Sequence, residues 1–486
     1  LNENVKTQVC IIEGGITGIA TALYLSEEGY KVTILEKESL GGKVTGHTTG
    51  KITAQHGLIY HYLCDKYGIE FARKYYEANT KAISDIEYYI NKYNIECDFE
   101  HKDNYIYTLD KEEILKIEEE EKALKHMGIK TETTKKVNLP FKIELAIKLD
   151  NQAQFNSIKY IDGITNILLK NGVKIYTNTE CKGIEKQDYG YICRTNDRKV
   201  EAEYVVIATQ YPFINIPGFY FSKMYQSSSY LIAVRTKKEL PEGMFINIQA
   251  PIFSLRTAIT NQGERILIVC GMDHKTGEKV DENSTYKVLE NKVKEWYDDA
   301  EILCKWSARD CITLDKIPYI GDFSKTMPNV YVATGFNKWG MTSSHVAGKI
   351  ISDKIQEKNN EYEEIFKATR LHPIENSGEF KNMVTDSFKS LVKDRIKKHT
   401  RNIDGINNDT AAIVEINGQK VGIYKDINGK IYGVKPVCTH LGCILKWNNA
   451  DKTWDCHCHG SRFSYTGENI NNPAQKNLTV IDIDKI

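Results

Sequence analysis

The chain has 486 residues, enough for two or three domains, and its 65 Lys+Arg balance 65 Asp+Glu to zero net charge. That balance argues against nucleic-acid binding, which usually brings a basic excess, and no apolar run approaches the roughly 18 residues that cross a bilayer. Eight of the 12 cysteines are scattered without short paired spacing, the pattern of reduced thiols in a cytoplasmic protein, while the other four lie between Cys438 and Cys458.

The start carries no signal-peptide pattern; Val5 to Val9 leads directly into a buried-strand pattern. Val9-Cys-Ile-Ile runs into Glu13-Gly14-Gly15-Ile16-Thr17-Gly18 and a helix through Ala22, and a second strand, Lys31 to Leu35, ends at Glu36 and Lys37. Strand, glycine turn, helix, strand and acid at this spacing form a dinucleotide-binding unit. The helix N-terminus takes a pyrophosphate and Glu36 bonds ribose hydroxyls. Glu13 stands where the first glycine of G-x-G-x-x-G is expected. A carboxylate about 5 Å from a phosphate costs on the order of 3 kcal/mol at an effective dielectric of 20. Glu13 therefore points away, is protonated or ion-paired, or weakens cofactor binding; the intact remainder of the unit favours the first.

Next in order come Gly46-His-Thr48-Thr49-Gly-Lys51-Ile-Thr-Ala-Gln55-His56, then Tyr204-Val-Val-Ile-Ala208-Thr209, and Arg309 to Gly321. Asn329-Val-Tyr-Val-Ala-Thr-Gly335-Phe-Asn-Lys338-Trp339-Gly340-Met341-Thr342 follows, leading into a helical pattern from Ser344 to Ile355. Over roughly residues 5–370 these segments resemble the glycine/D-amino-acid oxidase family. The resemblance implies FAD and an α/β fold: a Rossmann-like FAD-binding domain interleaved with a mixed-sheet substrate domain. The implied cofactor contacts are Gly14, Gly15, Thr17, Gly18, Glu36, Lys37, Thr48, Thr49, Cys181, Ala208, Thr209, Gly335, Trp339, Gly340, Met341 and Thr342. Lys51, Gln55 and His56 lie in the loop that passes the flavin ring in that family. They are candidate catalytic groups, with a structural or cofactor-bonding role equally open. Lys338 is a candidate lining residue. Arg256 and Arg309 are candidates to clamp a substrate carboxylate, with ordinary ion pairing as the alternative.

The FAD domain is expected in pieces, 1–97, 151–220 and 306–358, with 98–150 and 221–305 forming the substrate domain. Residues 359–403 read as a connector. Its basic run from Lys389 to Arg401 suits a solvated helix or a dock for an acidic redox partner.

Residues 404–486 read as a small all-β domain, with β-patterned runs separated by the hairpin signals Asn417-Gly418 and Asn428-Gly429. Within it stand Cys438-x-His440 and, fifteen residues on, Cys456-x-x-His459. Two thiolates and two imidazoles suit a [2Fe–2S] cluster with mixed ligation, and also tetrahedral zinc. The segment resembles the Rieske family: His459-Gly460-Ser461 matches its second ligand loop and Pro473-Ala474 its proline loop. The resemblance implies iron, and a Cys443–Cys458 disulfide tying the two loops. It also implies a hydroxyl from Ser461 to a cluster sulfur. Phe463 stands where many high-potential members carry Tyr, so the potential is expected low in the Rieske range. His457, in place of a common Pro, is expected at the solvent surface.

Together the two resemblances imply an oxidoreductase. It would couple two-electron flavin chemistry, on an amine or amino-acid C–N bond of a small molecule, to one-electron transfer through the cluster and a redox protein such as a ferredoxin. Electron entry at the cluster is an alternative, as is a non-catalytic carrier or redox sensor with an impaired flavin site. An oxygenase reading needs a mononuclear iron site. His56, His61 and Asp65 mimic its spacing but fall in the flavin-family loop.

Overall fold

The computed structural model describes residues 4–483 apart from 197, 279–281 and 371–402, so the basic run Lys389 to Arg401 and most of the connector lie outside the described residues. The apolar strand Val5–Ile12 sits inside a sheet whose main path runs Tyr319–Asp322, Val330–Thr334, Lys199–Ile207, Val5–Ile12, Val32–Leu35 and Lys174–Tyr176. From Val330–Thr334 onward the neighbours are parallel. Parallel strands are buried on both faces, which is why they read as unbroken apolar runs. Helix Ile16–Glu27 is buried at every position but its last and packs against helix Gly340–Ile355. A helix covered all round shows little amphipathic pattern.

A second sheet runs Glu301–Thr313, Met224–Arg235, Arg265–Lys275, Phe253–Ile259, Met244–Asn247, Glu100–Thr108, Leu145–Gln154 and Lys51–Ile52. Its composition shifts the expected domain boundaries. Glu301–Thr313 pairs with Met224–Arg235 along its whole length, so the break expected at 305/306 falls within one strand. Lys51–Ile52 pairs with Ala153 and Gln154, which moves both segments from the expected FAD pieces into this sheet. Strand membership is set by a distant partner, which local apolar patterning does not reveal.

The C-terminal region folds into two four-stranded antiparallel sheets. One is Thr410–Ile416, Gln419–Lys425, Ile431–Val434 and Val480–Ile481; the other is Lys446–Asn448, Thr453–Asp455, Arg462–Ser464 and Asn469–Asn471. Asn417 and Gly418 take φ of 48° and 73°, the left-handed pair a tight hairpin turn requires. No helix among the described residues is long and apolar enough to cross a membrane.

Candidate flavin and cluster sites

The C-terminal ends of the parallel strands open into a cavity of about 370 Å³, bounded by Ile12, Leu35, Ala208 and Thr334 and closed on the far side by the second sheet. This is where α/β sheets take nucleotides. Gly15 is the N-cap of helix Ile16–Glu27 and itself gives no side-chain hydrogen bond; Gly15, Ile16 and Thr17 line the cavity, and the Ile16 N–H donates to Thr45 Oγ1 at 3.2 Å. Gly14 N–H donates to Glu36 Oε2 at 2.8 Å and Glu38 N–H to Glu36 Oε1 at 2.7 Å, so Glu36 holds the glycine turn. A Cβ at Gly18 would lie 2.1 Å from the Glu13 carbonyl oxygen, so that turn closes only over glycine. Thr209 Oγ1 is buried on the cavity wall without a hydrogen-bond partner among the described residues. A helix N-terminus at the cavity edge and an unpartnered hydroxyl both fit a bound dinucleotide.

Of the cofactor residues expected from sequence, Gly15, Thr17, Lys37, Thr48, Cys181, Ala208, Thr209, Gly335, Gly340 and Met341 line the cavity. Gly14, Gly18 and Glu36 shape the turn behind it. Thr49, Trp339 and Thr342 do not line it. Glu13 does not point away. It adopts φ 83°, the left-handed region its glycine counterpart would occupy, and lines the cavity near Glu36 and Lys43. Burial pushes its carboxyl up to about 7 against the opposing charge of Lys43. The protonated or ion-paired alternative therefore describes it.

The three expected catalytic residues lie behind the wall. His56 is fully engaged: Nδ1 meets Tyr75 Oη at 2.8 Å, and Nε2 meets the Thr53 carbonyl at 2.8 Å and Thr342 Oγ1 at 3.2 Å. Its ring stacks on Trp339 at 4.9 Å, and burial pushes its pKa down to about 3, so it is neutral and anchors the late flavin motif. Gln55 Oε1 accepts from Asn104 Nδ2 at 2.7 Å. Lys51 Nζ donates to the Phe245 carbonyl at 2.8 Å, and burial, with Arg256 adding repulsion, lowers its pKa to about 7. Burial likewise lowers Arg256 to about 10. Residues that local reading missed complete the wall: Lys43, Glu180, Tyr211, Gln226, Asp310 and Cys311. Burial raises Asp310 to about 6 although Lys338 opposes it. None of these carries a local motif; long-range pairing puts Gln226 opposite Cys311.

The cluster pocket matches expectation more closely. Cys443 and Cys458 form a disulfide with Cα atoms 6.8 Å apart, and their sulfurs lie within 4.8 Å of Cys456 Sγ. The thiols of Cys438 and Cys456 are within hydrogen-bond reach of each other, and the His440 and His459 rings are 5.0 Å apart. Nδ1 of both histidines is buried and unpartnered among the described residues, which suits metal ligation. The Ser461 hydroxyl reaches the Cys438 thiol and accepts the Ala474 N–H at 3.0 Å. The donor set fits a mixed-ligand [2Fe–2S] cluster.

This pocket is pressed against the flavin module. Gln226 Nε2 donates to the carbonyls of His459 at 3.0 Å and Asn472 at 2.8 Å. The Phe221 ring lies 5.4 Å from His440 and 5.7 Å from His459. Arg309 pairs with Asp451, which also binds Arg462 at 2.9 Å; Arg309 is thus an ion-pair residue between domains. A Cβ at Gly277 would lie 2.4 Å from His457 N, and one at Gly460 2.6 Å from Gln226 Cβ, so both glycines permit the close approach. His457, expected at the solvent surface, is half-buried in this contact because the domains pack over it.

A nucleotide-binding α/β domain, a sheet roofing its cavity and a Cys₂His₂ pocket docked alongside define a flavoprotein oxidoreductase with an iron–sulfur domain. The family profile for FAD dependent oxidoreductases (DAO) matches residues 8–354 and that for the Rieske [2Fe-2S] domain matches residues 398–482. The chain belongs to the DAO family of FAD-dependent oxidoreductases and ends in a Rieske domain; its cofactors are FAD and a [2Fe–2S] cluster, which sets the zinc alternative aside. It is 36% identical over 484 residues to the Rieske 2Fe-2S iron-sulfur protein YhfW of Bacillus subtilis (strain 168), covering 100% of this chain and 95% of that one. Gamma-glutamylputrescine oxidoreductase of Escherichia coli (strain K12) is 22% identical over 370 residues, 73% of this chain and 85% of that protein. Glycine oxidase from Bacillus cereus ATCC 14579 shares the fold, with a TM-score of 0.59 and 19% identity over 75% of this chain and 99% of that one.

Proposed function

We propose that the chain oxidises a C–N bond of an amine or amino acid at the flavin cavity and passes the electrons singly through its own cluster. When bound, FAD supplies two-electron chemistry and the cluster one-electron chemistry. The observation that carries this reading is the shared wall: Gln226 lines the cavity while its amide holds the His459 and Asn472 carbonyls of the cluster domain. Asp310, with its pKa near 6, can hold a substrate ammonium or take its proton at the carboxylate oxygen. Arg256, buried, in no ion pair among the described residues and cationic with its pKa near 10, adds positive potential that favours a substrate carboxylate, and Lys51, lowered to about 7, adds to it in part. The names of the gamma-glutamylputrescine and glycine enzymes support a C–N substrate. The scattered cysteines are free thiols, which supports a cytoplasmic location. An external redox protein, such as a ferredoxin, completes the exchange, and Leu441, 48% exposed beside His440, marks an edge where it can approach.

Anaerobic mixing of the holoprotein with a panel of amines and amino acids tests this. The expected result is loss of flavin absorbance followed by the reduced-cluster EPR signal. A flavin untouched by the whole panel would refute the substrate class. A flavin that bleaches while the cluster stays oxidised would refute the coupling.

A further inference from the structure

The Rieske domain reaches into the flavin cavity with one segment. Asn469, Ile470, Asn471, Asn472, Gln475 and Lys476 all line that cavity. Strand Asn469–Asn471 is the edge of its sheet and pairs with Arg462–Ser464. Thr439 Oγ1, beside the candidate ligand His440, donates to the Lys476 carbonyl at 2.6 Å. Ser461 Oγ, after His459, accepts the Ala474 N–H at 3.0 Å. The segment is thus fixed to both ligand loops and moves with them.

Its hydrogen bonds to the flavin module fall on the cavity wall. Lys37 Nζ donates to the Asn469 carbonyl at 3.5 Å, and Gln226 Nε2 to the Asn472 carbonyl at 2.8 Å. Asn472 Nδ2 donates to the Tyr211 carbonyl at 3.2 Å, and Gln475 Nε2 to the Phe213 carbonyl. Lys37, Tyr211, Phe213 and Gln226 are themselves cavity-lining residues. They come from different parts of the wall: Lys37 follows Glu36 at the glycine turn, Tyr211 and Phe213 follow strand Lys199–Ile207, and Gln226 pairs with Cys311 on the second sheet. The interface contacts of Phe221 and Arg309, by contrast, lie off this wall. A cofactor enclosed on every side leaves only when one wall moves. The Rieske segment is the wall that belongs to a separately folded domain.

We propose that segment 469–476 of the Rieske domain is part of the FAD site and retains the cofactor, so that FAD leaves only when the Rieske domain lifts from the flavin module. Retention and docking are then reciprocal: bound FAD holds the segment in place by the same free energy with which the segment holds FAD. Asn472 and Gln475 act as the clasps, because their side-chain amides cross the interface on the cavity wall. This inference rests on the FAD assignment and not on the substrate class, and its test contains no substrate.

The test is the rate of FAD release from the full-length holoprotein after dilution, read as the fluorescence of free flavin. The double variant Asn472→Ala with Gln475→Ala loses both clasps, and its FAD is expected to leave about tenfold faster. Its iron content and cluster EPR signal stay as in the unsubstituted protein, and with FAD in excess its site still fills. An unchanged release rate with the cluster in place overturns the proposal. Should the double variant lose its cluster, amide hydrogen exchange of the unsubstituted full-length protein answers the same question. Slower exchange across residues 469–476 with FAD bound than in the FAD-free, cluster-loaded protein supports the proposal. Equal exchange in the two states overturns it.

Discussion

The four candidate cluster ligands fall between Cys438 and His459, on two loops joined by a disulfide, whereas the flavin cavity draws its wall from residues as distant as Ile12 and Lys476. The first site is held by covalent and backbone contacts within one small domain. The second is assembled by strand pairing and by docking of the first, since Asn469 to Asn472 of the Rieske domain form part of its wall. The difference teaches that the cluster pocket is self-contained in its ligands, while the flavin cavity depends on the domain interface.

Removing a ligand should break this comparison at its local end. Cys456→Ser is expected to abolish the cluster while FAD remains, as measured by iron content and the visible spectrum. If flavin is lost as well, the two sites depend on each other more than their wiring implies.

Asp451→Asn probes the interface. Burial raises the Asp451 carboxyl pKa, but Arg309 and Arg462 outweigh it and hold it below the usual aspartate range. A depressed folded-state pKa contributes stability above the unfolded value that is lost as pH falls through the folded one. The clasp should therefore weaken only in strong acid in the native chain, and at neutral pH in the variant. Loss of one partner costs about 1–3 kcal/mol, below the range for fully buried pairs because Asp451 keeps some exposure. The measurement is cluster-reduction rate after flavin reduction, expected to fall about tenfold, with both cofactors retained.

Gly18→Ala is a purely local change in the dispersed site. Its Cβ would meet the Glu13 carbonyl at 2.1 Å, so the turn must open, at about 1–3 kcal/mol. FAD content should fall while the cluster EPR signal is preserved.

The smallest effect concerns Glu13. Its folded pKa of about 7 lies above its ordinary value of 4.5. The neutral form is thus favoured by folding: the associated stability is full below about 4.5 and is lost as pH rises through about 7. A phosphate nearby adds to the penalty on the ionised form. FAD affinity should weaken several-fold as pH rises from 6 to 8, and Glu13→Gln should flatten that dependence in an equilibrium binding measurement.

Legibility followed the same division. The strand, glycine turn and acid at Val9 to Glu36 were readable because their contacts are near in sequence, and the candidate cluster ligands could be picked out because two short loops carry them all. His56 looked catalytic because a histidine beside a cofactor loop is a chemical candidate in one dimension. In the fold its ring is stacked on Trp339 and both nitrogens are engaged. For Arg309 the sequence left a substrate clamp and an ordinary ion pair open, and Asp451, distant in sequence, takes its guanidinium as the second reading expects. Tyr211, Gln226 and Asp310 had no pattern to find, since packing of distant segments is what brings them to the cavity wall.

By itself the sequence determined that this chain carries a dinucleotide fold and a Cys₂His₂ cluster module, because glycine turns and metal-ligand spacings are short-range requirements. Only the tertiary structure decided that the two modules share a wall, that Glu13 faces the cavity in a left-handed backbone, and that Gln226 on that wall holds carbonyls of the Rieske domain. Those outcomes depend on which surfaces bury one another, a matter of packing between distant segments that no local spacing encodes.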